Sequence, residues 1–271
     1  MDGSVIALRR DSPLHDEGGV LGGGSILLLH GLMGSARTWR RQLPWLRELG
    51  RVYTFDALGH GRVAPARPDT DLFVDDLIAH LTAGGDIRDL VVIGHSMGGI
   101  HGICLAARRP DLVRALVVED IGVDYRGRTA VEWVSVIDRW PTPFPTRAAV
   151  LDYFGPIAGQ YFLESFRRDE DGYHLHGELG MFRDIAEEWG RRAFWDEWLR
   201  VSCPALLLEA ERGVAPAGQM IRMNQLRPGS RYTLISNSGH LVHDEQPAAY
   251  RSAVEPFVTS AILRTPPSDT P

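Results

Sequence analysis

The chain contains no lysine, and all 29 of its basic residues are arginine. Without lysine it cannot form a Schiff base, use a serine–lysine pair or carry the lysine of a P-loop, so three classes of enzyme are excluded. Cysteine is scarce as well: Cys104 and Cys203 are the only two, and both lie in apolar contexts. We interpret them as reduced, buried thiols, in preference to a disulfide or a metal site.

Long apolar runs and blocks of basic residues are also missing. Clean apolar runs such as Ile26–Leu29 are far shorter than the roughly 20 residues that cross a bilayer. No basic segment followed by an apolar one opens the chain, so we expect no secretory signal, no membrane insertion and a cytoplasmic location. The net charge is −6, and without a basic block nucleic acid is not an expected partner.

Short apolar runs alternate with amphipathic stretches along most of the 271 residues. This alternation predicts an α/β protein with a mostly parallel sheet covered on both faces. One helix is predicted around Leu72–Leu81, with Asp69 or Thr70 as its cap. Six runs are predicted to be strands: Ile26–Leu29, Val52–Phe55, Leu90–Ile93, Ala115–Val118, Ala205–Leu208 and Arg231–Ile235. Gly22–Gly24, which precede the first of these runs, are interpreted as a hairpin turn.

One segment interrupts the alternation. Residues 125–200 hold 15 of the 23 aromatic residues, far more than their share of the length. Such enrichment in large apolar surface favours a helical cap that lies over the core, although many of these rings are expected to form the cap's own small core. We therefore divide the chain into a core domain at 1–124 and 201–264, a cap at 125–200 and a frayed tail at 265–271.

The motif with the clearest chemistry is Gly94-His95-Ser96-Met97-Gly98, which follows a predicted strand and precedes a helical pattern. A serine on so sharp a turn is held in a strained backbone conformation, and glycines are needed where side chains would collide with the neighbouring strand and helix. At a helix N-terminus, free amides favour developing negative charge. Ser96 is thus the candidate nucleophile.

A serine nucleophile needs a base. Ser238-Gly239-His240 follows the last predicted strand, which places His240 on a loop at a strand end and makes it the candidate base. His243, three residues on, is the alternative, and it would suit the first turn of the last helix. A metal site built on the pair has no third ligand suggested nearby.

Taken in order along the chain, four motifs resemble those of the α/β-hydrolase superfamily, in particular bacterial short-chain carboxylesterases. They are His30-Gly31-Leu32-Met33-Gly34-Ser35, Asp56-Ala57-Leu58-Gly59-His60-Gly61, the turn at Ser96 and Ser238-Gly239-His240. The resemblance covers nearly the whole chain and implies the α/β-hydrolase fold with an inserted helical cap. It also implies an oxyanion hole formed by the backbone amides of Leu32 and Met97.

The chain departs from this family at the acid of the triad. Aligned on Pro216, the usual acid position falls on Arg212, and a guanidinium cannot orient an imidazolium. Some members of the superfamily instead use an aspartate after the preceding strand, which here is Asp120. We therefore predict Asp120 as the acid, ahead of Glu211. Three other carboxylates are weaker alternatives: Glu209, Glu119 and Asp124.

These residues predict a serine hydrolase that cleaves a small neutral or apolar carboxylic ester through an acyl-enzyme on Ser96, with neither cofactor nor metal. Related enzymes with the same triad cleave carbon–carbon bonds or lactones or act like haloperoxidases, and these activities remain open. A ligand receptor with little turnover is the rival of another class, favoured by Arg212. His174 and His176, which alternate as on a strand, are interpreted as part of an exposed polar face in preference to a metal site. The oligomeric state stays open.

Overall fold

The computed structural model describes residues 12–21, 24–83, 87–128 and 139–263. The sequence predictions for the tail at 265–271, and for the part of the cap at 129–138, lie outside these residues. Among the described helices, none is both long and apolar enough to cross a membrane.

A seven-stranded sheet forms the centre of the molecule, with strand order β1-β3-β2-β4-β5-β8-β9. All neighbours pair in parallel except β1, which runs antiparallel to β3 at the edge. The strands of this sheet are β1 Leu14–Gly19, β2 Ser25–Leu29, β3 Arg51–Phe55, β4 Leu90–His95, β5 Val113–Glu119, β8 Ala205–Arg212 and β9 Ser230–Gly239. The predicted α/β class and all six predicted strands are confirmed.

The edge strand β1 was not expected, because its sequence LHDEGG lacks an apolar pattern and is only half buried. Its position overturns one interpretation. Strand β3 lies between β1 and β2, so the two strands that flank the predicted turn do not pair with each other as a hairpin. Two of the three glycines of that prediction, Gly22 and Gly23, lie outside the described residues.

Helices cover both faces of the sheet, as a parallel sheet requires. Alternate residues of each strand point to opposite faces, so Leu27 and Leu29 join one apolar core while Ile26 and Leu28 join the other. The helices of the two faces are α1 Leu43–Leu49, α2 Thr70–Ala83, α3 Met97–Arg108, α8 Gln219–Leu226, α9 Val242–Glu245 and α10 Pro247–Leu263. Asp69 caps α2, since its Oδ1 accepts a hydrogen bond of 2.8 Å from the amide of Leu72.

The segment 125–200 is helical as expected, and it also contains a small antiparallel hairpin. Its described elements are α4 Arg147–Phe154, α5 Pro156–Ser165, β6 Phe166–Asp169, β7 Gly172–Leu175, α6 Leu179–Arg191 and α7 Trp195–Arg200. Some of its aromatic rings form a separate small core around Phe144 and Phe166. Others, such as Trp189 and Trp198, are buried in the main core and anchor the segment there. That the segment covers a substrate pocket stays a prediction.

Candidate active site

Ser96 lies on the turn between β4 and α3, and its backbone is strained. Its φ of 52° and ψ of −121° fall outside the regions that side chains prefer. A Cβ at Gly94 would lie 2.2 Å from the carbonyl oxygen of Gly98, and one at Gly98 would lie 2.2 Å from that of Leu29. Only glycine fits at either position, for the steric reason expected from the sequence. The turn presents Ser96 at the N-terminus of a twelve-residue helix.

The two amides expected to form an oxyanion hole belong to the helix that follows this turn and to the loop after β2. Met97 is the first residue of α3, where an amide has no partner within the helix. Leu32 lies on the loop after β2, and its amide has no acceptor among the described residues. The amide of the next residue, Met33, is already used, because it donates to Nε2 of His60 at 3.1 Å.

Two buried histidines hold this loop in place. His30 Nδ1 donates to the carbonyl oxygen of Gly31 at 2.8 Å, and His30 Nε2 accepts from the amide of Ala57 at 3.1 Å. His60 is bonded in the same way, between the amide of Met33 and the carbonyl oxygen of Leu58. Burial lowers the pKa of both rings, and a neutral ring supplies the one donor and one acceptor that each arrangement needs.

The structure brings Asp120 and His240 together. His240 Nδ1 lies 2.7 Å from Oδ2 of Asp120, and this carboxylate is fully buried. Asp120 follows the last residue of β5 and has a positive φ of 45°, a conformation that aspartate tolerates better than most residues. Its carboxylate also accepts from the amides of Ala210 and Val214, at 3.1 and 3.0 Å. The acid is thus fixed by three hydrogen bonds.

The loop after β8 makes room for this carboxylate. A Cβ at Gly213 would lie only 2.0 Å from Oδ1 of Asp120. At the position where the family resemblance would place the acid, Arg212 is exposed and pairs with Glu211. The loop therefore surrounds an acid that the neighbouring strand supplies.

The other candidate carboxylates have different partners. Glu211 is exposed and accepts from the amide of Asn237, and Glu209 accepts from the hydroxyl of Tyr232 at 2.7 Å. Asp124 pairs with the guanidinium of Arg126, which holds the pKa of its carboxyl at about 2. Glu119 pairs with His243.

His243, the alternative base, lies away from Asp120 in a buried pair of its own. Its Nδ1 and its amide both donate to Oε1 of Glu119, at 2.8 and 3.0 Å. Sequence reasoning treated these two residues only as rivals of Asp120 and His240. The sequence did carry a signal. Glu119 is adjacent to Asp120 and His243 follows His240 by three residues, so the chain offers a second acid and a second base that could pair with each other.

His95 connects the serine turn to the histidine loop. Its Nε2 donates to the carbonyl oxygen of His240 at 3.0 Å, and its ring centroid lies 4.6 Å from that of His240. On its other side, Nδ1 faces Gly31, where a Cβ would approach it to 2.7 Å. Burial and the nearby rings of His240 and His243 lower the pKa of His95 well below its usual value, so its ring is a neutral brace.

The remaining histidine candidates lie on the hairpin. His174 is in β7 and bonds Asp171 at 2.8 Å, and together with Asp169 it forms an exposed group of three potential ligands. His176 follows β7 and lines a cavity of about 840 Å³ between residues 59–66 and the hairpin. None of Ser96, Asp120 and His240 lines that cavity, and no Phe, Tyr or Trp does, so it is separate from the candidate catalytic residues.

Comparisons with known proteins identify the family and the fold of the chain. A family model described as "Alpha/beta hydrolase family" matches residues 26–253. The chain is 40% identical to lipase LipV of Mycobacterium tuberculosis over 120 residues, a match that covers 44% of this chain and 45% of the lipase. It is 26% identical to the (E)-2-((N-methylformamido)methylene)succinate hydrolase of Acinetobacter baylyi over 249 residues, covering 87% of this chain and 90% of the relative. The crystal structure of E-2-(acetamidomethylene)succinate hydrolase has the same fold, with a TM-score of 0.79 at 19% identity over 90% of this chain and 94% of that one.

Proposed function

Because this chain belongs to the α/β-hydrolase family, we propose that it is a serine hydrolase that cleaves small neutral or apolar carboxylic esters with Ser96, His240 and Asp120. The observation that carries the proposal is the contact of 2.7 Å between His240 Nδ1 and the buried carboxylate of Asp120. A carboxylate in that position favours the tautomer in which Nδ1 carries the proton, so that Nε2 is unprotonated and can act as a base.

The first half-reaction is acylation. His240 Nε2 removes the proton from Ser96 Oγ while this oxygen attacks the carbonyl carbon of the ester. The amides of Leu32 and Met97 stabilise the negative oxygen of the tetrahedral intermediate, and the positive end of α3 adds to this stabilisation. When the intermediate collapses, the ester C–O bond breaks and His240 returns the proton to the leaving alcohol.

The second half-reaction reverses these roles with water. His240 Nε2 takes a proton from a water molecule, which attacks the acyl carbon. The second tetrahedral intermediate uses the same two amides, and its collapse gives the carboxylic acid and returns the proton to Ser96 Oγ. Asp120 stabilises the imidazolium that forms in each half.

Two observations favour an ester as substrate. The partial match at 40% identity is to a lipase. In addition, the aromatic residues concentrated in 125–200 supply apolar surface suited to a neutral acyl or alcohol group. A second candidate, hydrolysis of a succinate derivative, is favoured by the match to the Acinetobacter hydrolase along 87% of this chain.

The test is a series of initial rates on p-nitrophenyl esters of increasing acyl length, with monoesters of succinate alongside. We expect measurable rates that peak at a short or medium acyl length, and Ser96→Ala should lower kcat by at least about 10⁴-fold. Labelling by a serine-directed fluorophosphonate should disappear in the same variant.

Ser165→Ala is the matched control, because Ser165 is as buried as Ser96 and its Oγ has no hydrogen-bond partner among the described residues. It should keep the rate and the labelling of the wild type. A wild type that is inert on every ester, or a Ser96→Ala variant with undiminished turnover, would refute the proposal. Higher kcat/KM on the succinate esters would favour the second candidate.

A further inference from the structure

A second carboxylate–imidazole pair lies directly behind the proposed acid and base. Glu119 precedes Asp120 at the end of β5, and His243 follows His240 by three residues. Both side chains of this pair are buried, with exposures of 0% and 1%. Glu119 and Asp120, which are adjacent in the sequence, thus each bond one of two histidines that lie three residues apart.

Several charged groups act on the buried ring of His243. Burial alone would lower the pKa of His243, but the negative charge of Glu119 and its hydrogen bond outweigh burial and raise that pKa above the usual value. Two further charged groups act on the ring: Asp244 raises its pKa, and Arg41, which bonds Asp244, lowers it. The ring also packs against His95, Tyr161, Tyr250 and Trp39.

Burying this pair costs more free energy than a purely structural contact between apolar side chains would. Within the described part of the chain, Nε2 of His243 and Oε2 of Glu119 have no hydrogen-bond partner although both are buried. Apolar side chains of similar size could fill the same space without desolvating a charge, so a pair retained there calls for another reason.

The hydrogen bonds of the histidine loop supply that reason. Glu245 accepts from the amides of Gly239 and Leu241, and His95 donates to the carbonyl oxygen of His240. At the end of the loop, Glu119 holds the amide of His243 and Gln42 Nε2 holds its carbonyl oxygen at 2.7 Å. Of these groups, only Glu119 is adjacent to Asp120 in the sequence. Its side chain therefore links the segment that carries His240 to the segment that carries Asp120.

We propose that Glu119 and His243 are a positioning pair: by fixing the loop that carries His240 relative to the end of β5, they hold its imidazole in line between Asp120 and Ser96. The proposal rests on the proposed function for its effect on catalysis. Proton transfer needs the reacting atoms within a few tenths of an ångström of their working distance, so a small displacement of the loop lowers turnover more than substrate binding.

The main variant is Glu119→Gln, which keeps the shape and removes the charge. We expect kcat to fall about 10- to 100-fold while KM changes less than about 3-fold. His243→Gln should give a similar loss. The double variant should lose no more than the worse single one, because the two residues act as a unit.

Tyr250→Phe is the control, since this buried ring also packs on His243 but its hydroxyl has no hydrogen-bond partner among the described residues. It should leave kcat and KM unchanged. Thermal unfolding of every variant separates loss of stability from loss of turnover. If Glu119→Gln does not fold, Glu119→Asp replaces it, with kcat expected to fall because the shorter carboxylate cannot reach His243 from the same strand end.

A readout independent of turnover is the proton NMR spectrum of the strongly hydrogen-bonded imidazole N–H groups. The wild type should show one downfield resonance for each pair, assigned by His240→Asn and His243→Gln. In Glu119→Gln the resonance of His240 should shift or broaden. An unchanged His240 resonance with unchanged kcat overturns the positioning role. A Ser96→Ala variant that retains turnover, beside a perturbed His240 resonance in Glu119→Gln, refutes the proposed function alone.

Discussion

At the scale of single residues, the candidate site contains two buried carboxylates, each of which accepts hydrogen bonds from a histidine ring and from backbone amides. The carboxylate of Asp120 accepts from two amides and from His240, so its negative charge is stabilised without a neighbouring arginine. Glu119, the residue before it, serves a different histidine. Successive residues at a strand end point in opposite directions, so the carboxylates of Glu119 and Asp120 can each bond a different histidine without lying side by side.

The first prediction at this scale concerns Asp120→Asn. We expect kcat to fall about 10³- to 10⁴-fold with little change in KM, because an amide favours the wrong tautomer of His240. One N–H donor would also face the amide NH₂ group, so the free energy of unfolding should drop by about 1–3 kcal/mol. Steady-state kinetics and thermal unfolding measure the two effects.

Glu211→Gln is the matched control, since it makes the same chemical change in an exposed carboxylate. It should retain turnover near that of the wild type. The opposite pattern, with turnover lost in Glu211→Gln and kept in Asp120→Asn, would assign the acid to Glu211.

At the scale of elements, the loop after β8 and the end of β5 together surround the carboxylate of Asp120. The family resemblance places the acid in the loop after β8, where this chain has Arg212-Gly213-Val214. Here that loop contributes the amide of Val214 and the space at Gly213. The buried carboxylate beside His240 therefore follows the end of another strand, β5.

Gly213→Ala tests this division of roles. The added methyl would lie 2.0 Å from Oδ1 of Asp120, which cannot swing away without breaking its hydrogen bonds to backbone amides. We expect kcat to fall at least about 10-fold, because displacing Asp120 would disturb the hydrogen bond that orients His240. Gly229→Ala is the control, because no atom lies within 4 Å of its added Cβ. Equal turnover in the two variants would show that the loop tolerates the methyl and that the contact is not needed.

The elements also show which features could be predicted from sequence. The six parallel strands contain short apolar runs bounded by turns, so their length and their flanking turns identify them. The turn at Ser96 and the loop of His240 follow from motif spacing. Strand β1 and the hairpin β6–β7 could not be found in this way, because their sequences, LHDEGG and FRRD with GYHL, are polar and partly exposed, and only pairing with a neighbour makes them strands.

The roles of the paired residues depend on tertiary contacts that spacing does not encode. The sequence favoured Asp120 over Glu119 as the acid, yet it did not assign a partner to Glu119. That partner is His243, which lies in α9 and bonds Glu119 through Nδ1 and its amide. A reader of the sequence alone sees two acids and two histidines, and only the fold shows which acid meets which ring.

At the scale of the whole molecule, the buried histidines set how stability depends on pH. Burial lowers the pKa of four of them, which are His30, His60, His95 and His101. For His101 the pKa falls to about 3. Each is neutral in the folded state, whereas the unfolded chain binds its proton near pH 6.5. Stability is therefore lost as the pH falls from 6.5 towards the lowered values. His243 has a raised pKa, so its contribution is complete below pH 6.5 and is lost as the pH rises through the raised value.

The last prediction follows from His101, whose ring stacks on Phe73 at 5.3 Å in the apolar space between α2 and α3. Between pH 6.5 and pH 5, the unfolded chain binds a proton at His101 that the folded protein does not bind. This difference should lower the free energy of unfolding by roughly 2 kcal/mol. His101→Leu removes this titration and keeps an apolar side chain against Phe73. Urea unfolding at the two pH values should therefore show a smaller drop in free energy for the variant than for the wild type. An equal drop in both proteins would assign the acid sensitivity to the histidines that brace the loops of the active site, whose neutral rings are needed there as acceptors.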